Sequence, residues 1–152
     1  EAIFFDKTPE ANWMVPAHQD RFLPVQARCD EAGFSGWTKK EGVDYVTPPV
    51  AVLEQVVALR VHLDDCGADN GALWVSPASH ARGLLTEDEV AALPRENFVA
   101  CAADAGDVLL MRPLLVHRSL PAHTPTHRRV LHIVYACAEP GTHVRWKRAN
   151  CV

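Results

Sequence analysis

The sequence predicts a mainly β fold of the jelly-roll class, with one short helix and long loops. Three features predict it. Short apolar runs follow one another at close spacing, one of them alternates with the period of a strand, and 11 prolines spread through the 152 residues shorten any regular element. No repeat, low-complexity tract or linker divides the chain, so we expect a single domain over residues 1–152.

The N-terminal part is expected to hold two short strands and a long loop. Residues 2–6 read as the first strand and residues 12–18 as the second, and the intervening Lys7-Thr8-Pro9-Glu10 has the composition of a turn. Residues 26–50 contain glycines and prolines at irregular intervals, which predicts a long irregular loop. Loops of this length are commonly functional or mobile.

The segment from residue 56 to residue 63 has the clearest strand pattern. Its apolar residues Val57, Leu59 and Val61 fall on one face, whereas Arg60 and His62 fall on the other. Because side chains alternate across a strand with a period of two, this pattern predicts a strand with one face in the core.

Turn and helix-capping residues predict the elements that follow this strand. Asn70-Gly71 between two apolar runs predicts a hairpin that leads into a strand over residues 72–75. Thr86-Glu87-Asp88-Glu89 fits a capping box ahead of a short helix that ends near Leu93-Pro94. Beyond the helix, strands are predicted over residues 108–111, 114–119 and 128–136.

Charge and cysteine content exclude several classes of protein. The net charge of -4 and the isoelectric point near 6.0 argue against a nucleic-acid partner, since such proteins usually carry a basic patch. No apolar run reaches the roughly 20 residues of a membrane span, and no signal peptide is visible. The five cysteines form no CxxC pair, which is typical of reduced thiols. We therefore expect a cytoplasmic monomer without nucleic-acid or membrane partners.

The candidate chemistry begins at His18-Gln19-Asp20. Residues two apart on a strand face the same way, so the His18 imidazole and the Asp20 carboxylate project into one space. Together they supply two thirds of a 2-His-1-carboxylate facial triad, which binds Fe(II) and leaves positions open for a cosubstrate and O₂. Alone the pair is weak support for a metal site, because HxD occurs by chance in many proteins.

A second histidine and a possible anion anchor lie near the C-terminus. His117 stands in the strand-like run 114–119, Ser119 shares its face, and Arg128 follows His117 by eleven positions. A guanidinium beside a hydroxyl suits the distal carboxylate of the cosubstrate 2-oxoglutarate, through a charge-assisted and often bidentate pair. Singly, His117 reads as a core histidine and Arg128 as a surface charge, but their order and spacing favour a site.

These residues fall in three blocks through which the chain resembles the phytanoyl-CoA dioxygenase (PhyH) family, from residue 4 to about residue 146. The blocks are FFDKTPEANWMVPAHQD (4–20), LRVHLDDCGADNGALWVSPASH (59–80) and AGDVLLMRPLLVHRSLPAHTPTHRRVLHIVYA (105–136). The resemblance implies a double-stranded β-helix, cupin-like fold, with Fe(II) as cofactor and 2-oxoglutarate as cosubstrate. It puts the metal on His18, Asp20 and His117, and the 2-oxoglutarate carboxylate on Ser119 and Arg128.

The resemblance also implies an activity. It is that of a dioxygenase that hydroxylates a small organic substrate with O₂ and releases succinate and CO₂. Asp20 favours hydroxylation over halogenation, since the related halogenases have Gly or Ala at this position. Two alternatives stay open: a truncated or degenerate member that keeps the fold without turnover, and a cupin-like metal enzyme that does not use 2-oxoglutarate.

The chain departs from the family at positions that bear on the site. The family's N-terminal helical region lies upstream of Glu1, so we expect part of the cosubstrate site to be missing. Arg60 stands where members have a tryptophan near 2-oxoglutarate, and it either adds a second cationic contact or pairs with an acidic loop residue. In PASH (77–80), Ala78 replaces a common glycine.

Alternation requires Arg128 and Arg129 to face opposite sides of the last strand. Hydrophobicity alone sends Arg129 inward, because Leu131 and Ile133 share its face. The family's spacing of eleven residues after the distal histidine instead selects Arg128 as the anchor. We side with the spacing and predict that Arg128 faces the interior.

Overall fold

The structure, a computed structural model, describes residues 1–147. These residues form two four-stranded sheets and one three-stranded sheet, and every strand pairing within them is antiparallel. The strands are β1 (Ala2–Lys7), β2 (Val15–His18), β3 (Leu23–Val25), β4 (Ser35–Lys40), β5 (Val43–Thr47), β6 (Val56–His62), β7 (Leu73–Val75), β8 (Val99–Cys101), β9 (Val108–Met111), β10 (His117–Ser119) and β11 (Arg128–Ala136).

Two of the sheets form a sandwich. The first has the strand order β1-β11-β6-β9 and the second the order β2-β10-β7-β8. They pack through a shared core that includes Ala58 and Met111 of the first sheet and Leu73 of the second. The third sheet, β3-β5-β4, buries Val25 and Val46 in a separate cluster. The mainly β, jelly-roll prediction is confirmed.

Helices are few and short. The capping box predicted before the helix is present, because Glu89 N donates to Thr86 Oγ1 (3.2 Å) and Thr86 N donates to Glu89 Oε2 (2.8 Å). Among residues 1–147, no helix is long and apolar enough to cross a bilayer. The α-helices are α1 (Val50–Leu53) and α2 (Glu87–Ala91), and 3-10 turns occur at Ser79–Arg82 and Arg95–Asn97.

The region predicted as an irregular loop, residues 26–50, contains the hairpin β4–β5, so that prediction is wrong. Its turn at Glu41-Gly42 has positive φ at both residues (49° and 81°), the backbone geometry that suits a two-residue hairpin. Most of β4 is exposed, so no core face imposes an apolar alternation on its sequence. Hydrophobic periodicity therefore cannot detect this strand.

The hairpin predicted at Asn70-Gly71 is also wrong, although the turn exists. Gly71 has a φ of +67°, but the strands on either side, β6 and β7, belong to different sheets. The turn carries the chain from one layer of the sandwich to the other instead of pairing its flanking strands. The residues of the turn therefore predict that the chain turns here, but not which strands pair.

The interior face of the first sheet carries the charged residues. The buried positions of β6 include Arg60 and His62, whereas its apolar residues on the other face are half-buried. On that outer face, Leu110 and Tyr135 of the flanking strands are 63% and 54% exposed. Because charges are costly to bury and apolar groups are costly to expose, this inversion makes the interior face a candidate ligand site.

The cysteines agree with the expectation of reduced thiols. Within residues 1–147, Cys29, Cys66, Cys101 and Cys137 are free, and Cys151 lies outside the described residues. Burial raises the pKa of both the Cys66 and the Cys101 thiol, which keeps them protonated and weakly reactive at neutral pH.

Ala78 occupies a backbone conformation that favours glycine, with φ of 61° and ψ of 1°. We expect Ala78→Gly to stabilise the protein by about 0.5–1 kcal/mol, because relief of the left-handed strain exceeds the entropy that glycine adds to the unfolded chain. Urea denaturation measures the change. Ala91→Gly, at the end of α2, is the matched control and should destabilise by up to about 1 kcal/mol. A destabilised Ala78→Gly protein would contradict the strain argument.

Candidate metal centre

The pairing of two short strands brings His18, Asp20 and His117 together. β2 and β10 are antiparallel neighbours, and His117 pairs directly with His18. His18 is the last residue of β2. Asp20 follows just beyond the strand, where its backbone N–H donates to Pro113 O (2.9 Å). Strand register thus places the two histidines, and one further backbone bond places the carboxylate.

The ligand atoms of these side chains converge. Asp20 Oδ1 lies 3.3 Å from His18 Nε2, and Asp20 Oδ2 lies 3.6 Å from His117 Nε2. One ligand atom from each residue lies within 4.8 Å of the others. The His117 side chain is 6% exposed, whereas those of His18 and Asp20 are 39% and 29% exposed. The group is closed on one side and open on the other, as a catalytic metal requires.

Backbone carbonyls fix both histidines in the form that binds a metal. His18 Nδ1 lies 2.8 Å from Pro16 O, and His117 Nδ1 lies 2.9 Å from Leu115 O. A carbonyl only accepts hydrogen bonds, so each Nδ1 carries a proton and donates it. The lone pair of each neutral ring is then on Nε2, the atom nearest Asp20. Metal-binding histidines commonly make such a second bond, which orients the ring.

The charges of the group suit a divalent cation. Burial opposes ionisation of Asp20, but the hydrogen bond from His18 and the charges of both histidines lower the pKa of the carboxyl to about 2. Burial lowers the pKa of His117, so that ring is neutral at pH 7. At His18 burial acts the same way, but the hydrogen bond with Asp20 outweighs it and raises the pKa. A metal ion would take the place of the proton that His18 and Asp20 share.

Gln19, between the two N-terminal ligands, was not identified from the sequence. Its buried side chain donates from Nε2 to Gly83 O (2.9 Å) and Leu114 O (2.7 Å), and Oε1 accepts from Leu85 N (2.8 Å). These three bonds tie the end of β2 to two other segments and so fix the direction of the flanking ligands. Alternation predicts only that Gln19 faces the opposite side from His18 and Asp20, whereas its hydrogen-bond partners are set by tertiary contacts.

The residues predicted to anchor an anion are buried. Ser119, Arg128 and Arg60 are 6%, 3% and 7% exposed. Within residues 1–147, neither arginine forms an ion pair with a carboxylate, and the Nε of each is buried without a hydrogen-bond partner. Two buried guanidinium groups without an anion are unfavourable. An anionic ligand would satisfy both.

Arg128 and Arg129 face opposite sides of β11. Arg128 is buried, whereas Arg129 is exposed and binds Asp64 through two contacts, Nε to Oδ2 (2.9 Å) and Nη2 to Oδ1 (2.6 Å). The side-chain hydrogen bonds lower the pKa of the Asp64 carboxyl to about 2. This orientation is the one that the family's spacing predicts and that hydrophobicity alone does not.

Arg60 points inward, away from the exposed loops. Its Nη1 lies 3.3 Å from His132 Nδ1, and its guanidinium lies 5.6 Å from the Phe5 ring centroid. No acidic loop residue pairs with it in the part of the chain that the structure describes. Burial, then repulsion by Arg128, lowers the pKa of Arg60 to about 10, and the Asp20 carboxylate acts in the opposite direction. Arg60 therefore lies within electrostatic reach of both Arg128 and Asp20.

Lys7 is a further interior residue that was not identified from the sequence, where it was placed in a turn. It is the last residue of β1, is fully buried and pairs in register with Arg128. Its Nζ donates to Ser119 Oγ (2.8 Å). The first strand was predicted to end at residue 6. If it is extended by one residue, alternation places the Lys7 side chain on the same face as Phe5, which is the inward face.

A family model confirms the resemblance. The model described as Phytanoyl-CoA dioxygenase (PhyH) matches residues 1–130. The chain belongs to the PhyH family. The matched range contains the three convergent ligands, together with Ser119 and Arg128.

Relatives of this PhyH domain include a hydroxylase and a non-heme epimerase. Methylphosphonate hydroxylase from Gimesia maris is 26% identical over 99 residues, which cover 62% of this chain and 38% of that protein. The crystal structure of AviO1 from Streptomyces viridochromogenes Tue57 is 27% identical with a TM-score of 0.58, covering 93% and 51% of the two chains. The non-heme alpha ketoglutarate dependent epimerase SnoN from nogalamycin biosynthesis is 19% identical with a TM-score of 0.58, covering 88% and 44%. The chain thus spans about two fifths to one half of these relatives.

Proposed function

We propose that residues 1–152 form a single Fe(II)- and 2-oxoglutarate-dependent oxygenase domain that hydroxylates a small organic substrate. The convergence of His18, Asp20 and His117, with the Nε2 atom of each histidine directed at the carboxylate, carries the proposal. Membership of the PhyH family and the similarity to a hydroxylase of methylphosphonate support it.

In this proposal His18 Nε2, His117 Nε2 and the Asp20 carboxylate would hold the iron. When bound, iron and 2-oxoglutarate supply the oxidising chemistry: 2-oxoglutarate loses CO₂ to become succinate, O₂ is consumed, and one oxygen atom enters a substrate C–H bond as hydroxyl. The chain itself orients both imidazoles through the carbonyls of Pro16 and Leu115. Burial of His117 keeps water from the inner side of the group.

The two ends of the cosubstrate fit two depths of the interior, one near the metal group at His117 and a deeper one at Ser119. Ser119 stands two residues beyond His117 on β10, a separation of about 7 Å along a strand. Ser119 and Arg128 bind the distal carboxylate at the deeper level. Besides burial, the charge of Arg128 lowers the pKa of Arg60 and that of Asp20 raises it, so Arg60 lies within electrostatic reach of both. It gives a second cationic contact at the keto-acid end near the metal. The absence of a protein carboxylate beside either arginine, within residues 1–147, supports both roles.

A cavity of about 500 Å³ beside His18 offers room for the substrate. Its lining comes from β2, α2 and the segments that follow or precede them, and it includes Ala17, Phe22 and Val90. An exposed ion pair between Arg21 Nη2 and Glu87 Oε1 (3.2 Å) belongs to the same lining. The volume lies in the usual range of small-molecule sites. We propose that a small substrate with an apolar part binds here.

Succinate formation tests the proposal. Protein supplied with Fe(II), ascorbate, O₂ and 2-oxoglutarate should form succinate and CO₂ in equal amounts, even without an identified substrate, through uncoupled turnover. Mass spectrometry measures succinate, and chelator-treated protein is the control. Metal binding without any succinate would favour a degenerate member of the family. Metal-dependent turnover of a substrate without 2-oxoglutarate would favour a cupin-like enzyme of another class.

A further inference from the structure

The side chain of Lys7 is fully buried at the end of β1. Burial, followed by repulsion from Arg128, lowers the pKa of its ammonium group to about 8, so the group is still mostly charged at pH 7. Among residues 1–147 no carboxylate lies within ion-pair distance of it. A buried ammonium group is costly unless hydrogen bonds and a counter-ion offset its desolvation.

Lys7 Nζ has one donor more than the described residues use. It donates to Ser119 Oγ (2.8 Å) and to Leu120 O (2.7 Å), which leaves one proton of the ammonium group without a hydrogen-bond acceptor among residues 1–147, although Nζ also lies 5.5 Å from the centroid of the Trp13 ring. Because Ser119 Oγ accepts from Lys7, the hydroxyl proton goes to Gly71 O (3.2 Å). The unused donor in this part of the interior is therefore on the ammonium group and not on the hydroxyl.

Three cations share the interior face of the first sheet. Lys7 and Arg128 are register partners on β1 and β11, and Arg60 on β6 is near enough to contribute to the lowered pKa of Lys7. Each of the three is at least nine-tenths buried. The Asp20 carboxylate acts on Arg60 and the Asp6 carboxylate acts on Arg128, but within residues 1–147 neither lies within ion-pair distance of any of the three cations. A ligand with two negative charges would offset this excess.

We infer that Lys7 binds the distal carboxylate of the cosubstrate through its unused proton, beside Arg128, and positions the Ser119 hydroxyl at that carboxylate. The inference rests on the proposed function and extends it to a residue outside the predicted site. The Ser119 proton, which lies on Gly71 O in the structure, turns to the carboxylate when the cosubstrate binds, and Lys7 holds Ser119 Oγ in place while it adds its own charge-assisted bond. The anchor then has two cations and one hydroxyl for a single carboxylate.

Binding of two different oxo acids to the Ni(II)-loaded protein tests this role without turnover. Calorimetry compares 2-oxoglutarate with 2-oxobutanoate, which has the same keto-acid end but no distal carboxylate. Lys7→Met keeps the length of the side chain and removes its charge, and we expect it to weaken 2-oxoglutarate binding at least tenfold while leaving 2-oxobutanoate binding unchanged. Lys39→Met, at an exposed lysine of β4, is the matched control and should change neither.

The same comparison separates failure of this inference from failure of the proposed function. If Lys7→Met weakens neither oxo acid, or weakens both equally, Lys7 is a structural residue and the inference is overturned. If the wild-type protein binds Ni(II) but shows no preference for 2-oxoglutarate, the cosubstrate assignment fails together with it. Should Lys7→Met not fold, Lys7→Gln keeps a donor without the charge, and the same selective loss for 2-oxoglutarate is expected.

Discussion

We expect Asp20→Ala to abolish metal-dependent turnover while the fold is retained. Asp20 supplies the only carboxylate of the convergent group, 3.3 and 3.6 Å from the two imidazoles. Loss of a residue that merely supports a ligand costs 10- to 100-fold in metal affinity, so loss of the ligand itself should cost more than about 100-fold. The side chain lies just past β2 and is 29% exposed, so its removal leaves no cavity in the core.

Calorimetry with Ni(II) and circular dichroism check this result together. His18→Ala and His117→Ala should behave like Asp20→Ala. His80→Ala is the matched control, because His80 is exposed and lies outside the convergent group, and it should bind Ni(II) as the wild type does. An Asp20→Ala protein with near wild-type metal affinity and turnover would show that another residue completes the site.

We expect Arg128→Ala to weaken the binding of the cosubstrate 2-oxoglutarate by roughly 30- to 700-fold, in both Kd and KM. A charge-assisted pair in a largely dry pocket contributes about 2–4 kcal/mol, which corresponds to that range of affinity. Arg128 is 3% exposed and has no carboxylate partner within residues 1–147, so its truncation removes a ligand contact and breaks no ion pair. Calorimetric titration of the cosubstrate into the Ni(II)-loaded protein measures the Kd.

Arg129→Ala is the natural control for this prediction. It removes the same side chain from the next position, but on the exposed face, where Arg129 binds Asp64. The Kd for the cosubstrate should stay within about twofold of the wild type, and stability should change little, as is usual for exposed ion pairs. The opposite ranking of the two variants would mean that Arg129, not Arg128, reaches the ligand.

The general fold was predictable because its strands are short, apolar and separated by recognisable turns. The face that each strand buries was not predictable. β6 and β11 each have a face rich in aliphatic residues, and a period of two alone would bury that face. The structure instead buries the face that carries Arg60 and Arg128, and a candidate anion site there would account for these buried charges. Family spacing gave the correct face at Arg128, where hydrophobicity did not.

The candidate site residues that belong to a short motif were predictable from the sequence, whereas those that are positioned by tertiary contacts were not. The HxD motif and the distal histidine were found because spacing on a strand fixes their direction. Lys7 and Gln19 were missed, since their roles depend on partners more than 60 residues away in sequence. The β4–β5 hairpin was missed because exposed strands carry no apolar pattern.

The direct pairing of His18 with His117 would link metal binding to the lifetime of the protein. β2 has four residues, stands at the edge of its sheet within residues 1–147, and loses regular register with β10 between His117 and Ser119. Short edge strands open readily, and opened strands are where proteases cut. A metal held by both histidines would clamp this strand to its neighbour, and a ligand bound only by the folded form stabilises that form. Metal occupancy would then set how long the protein lasts as well as how fast it works.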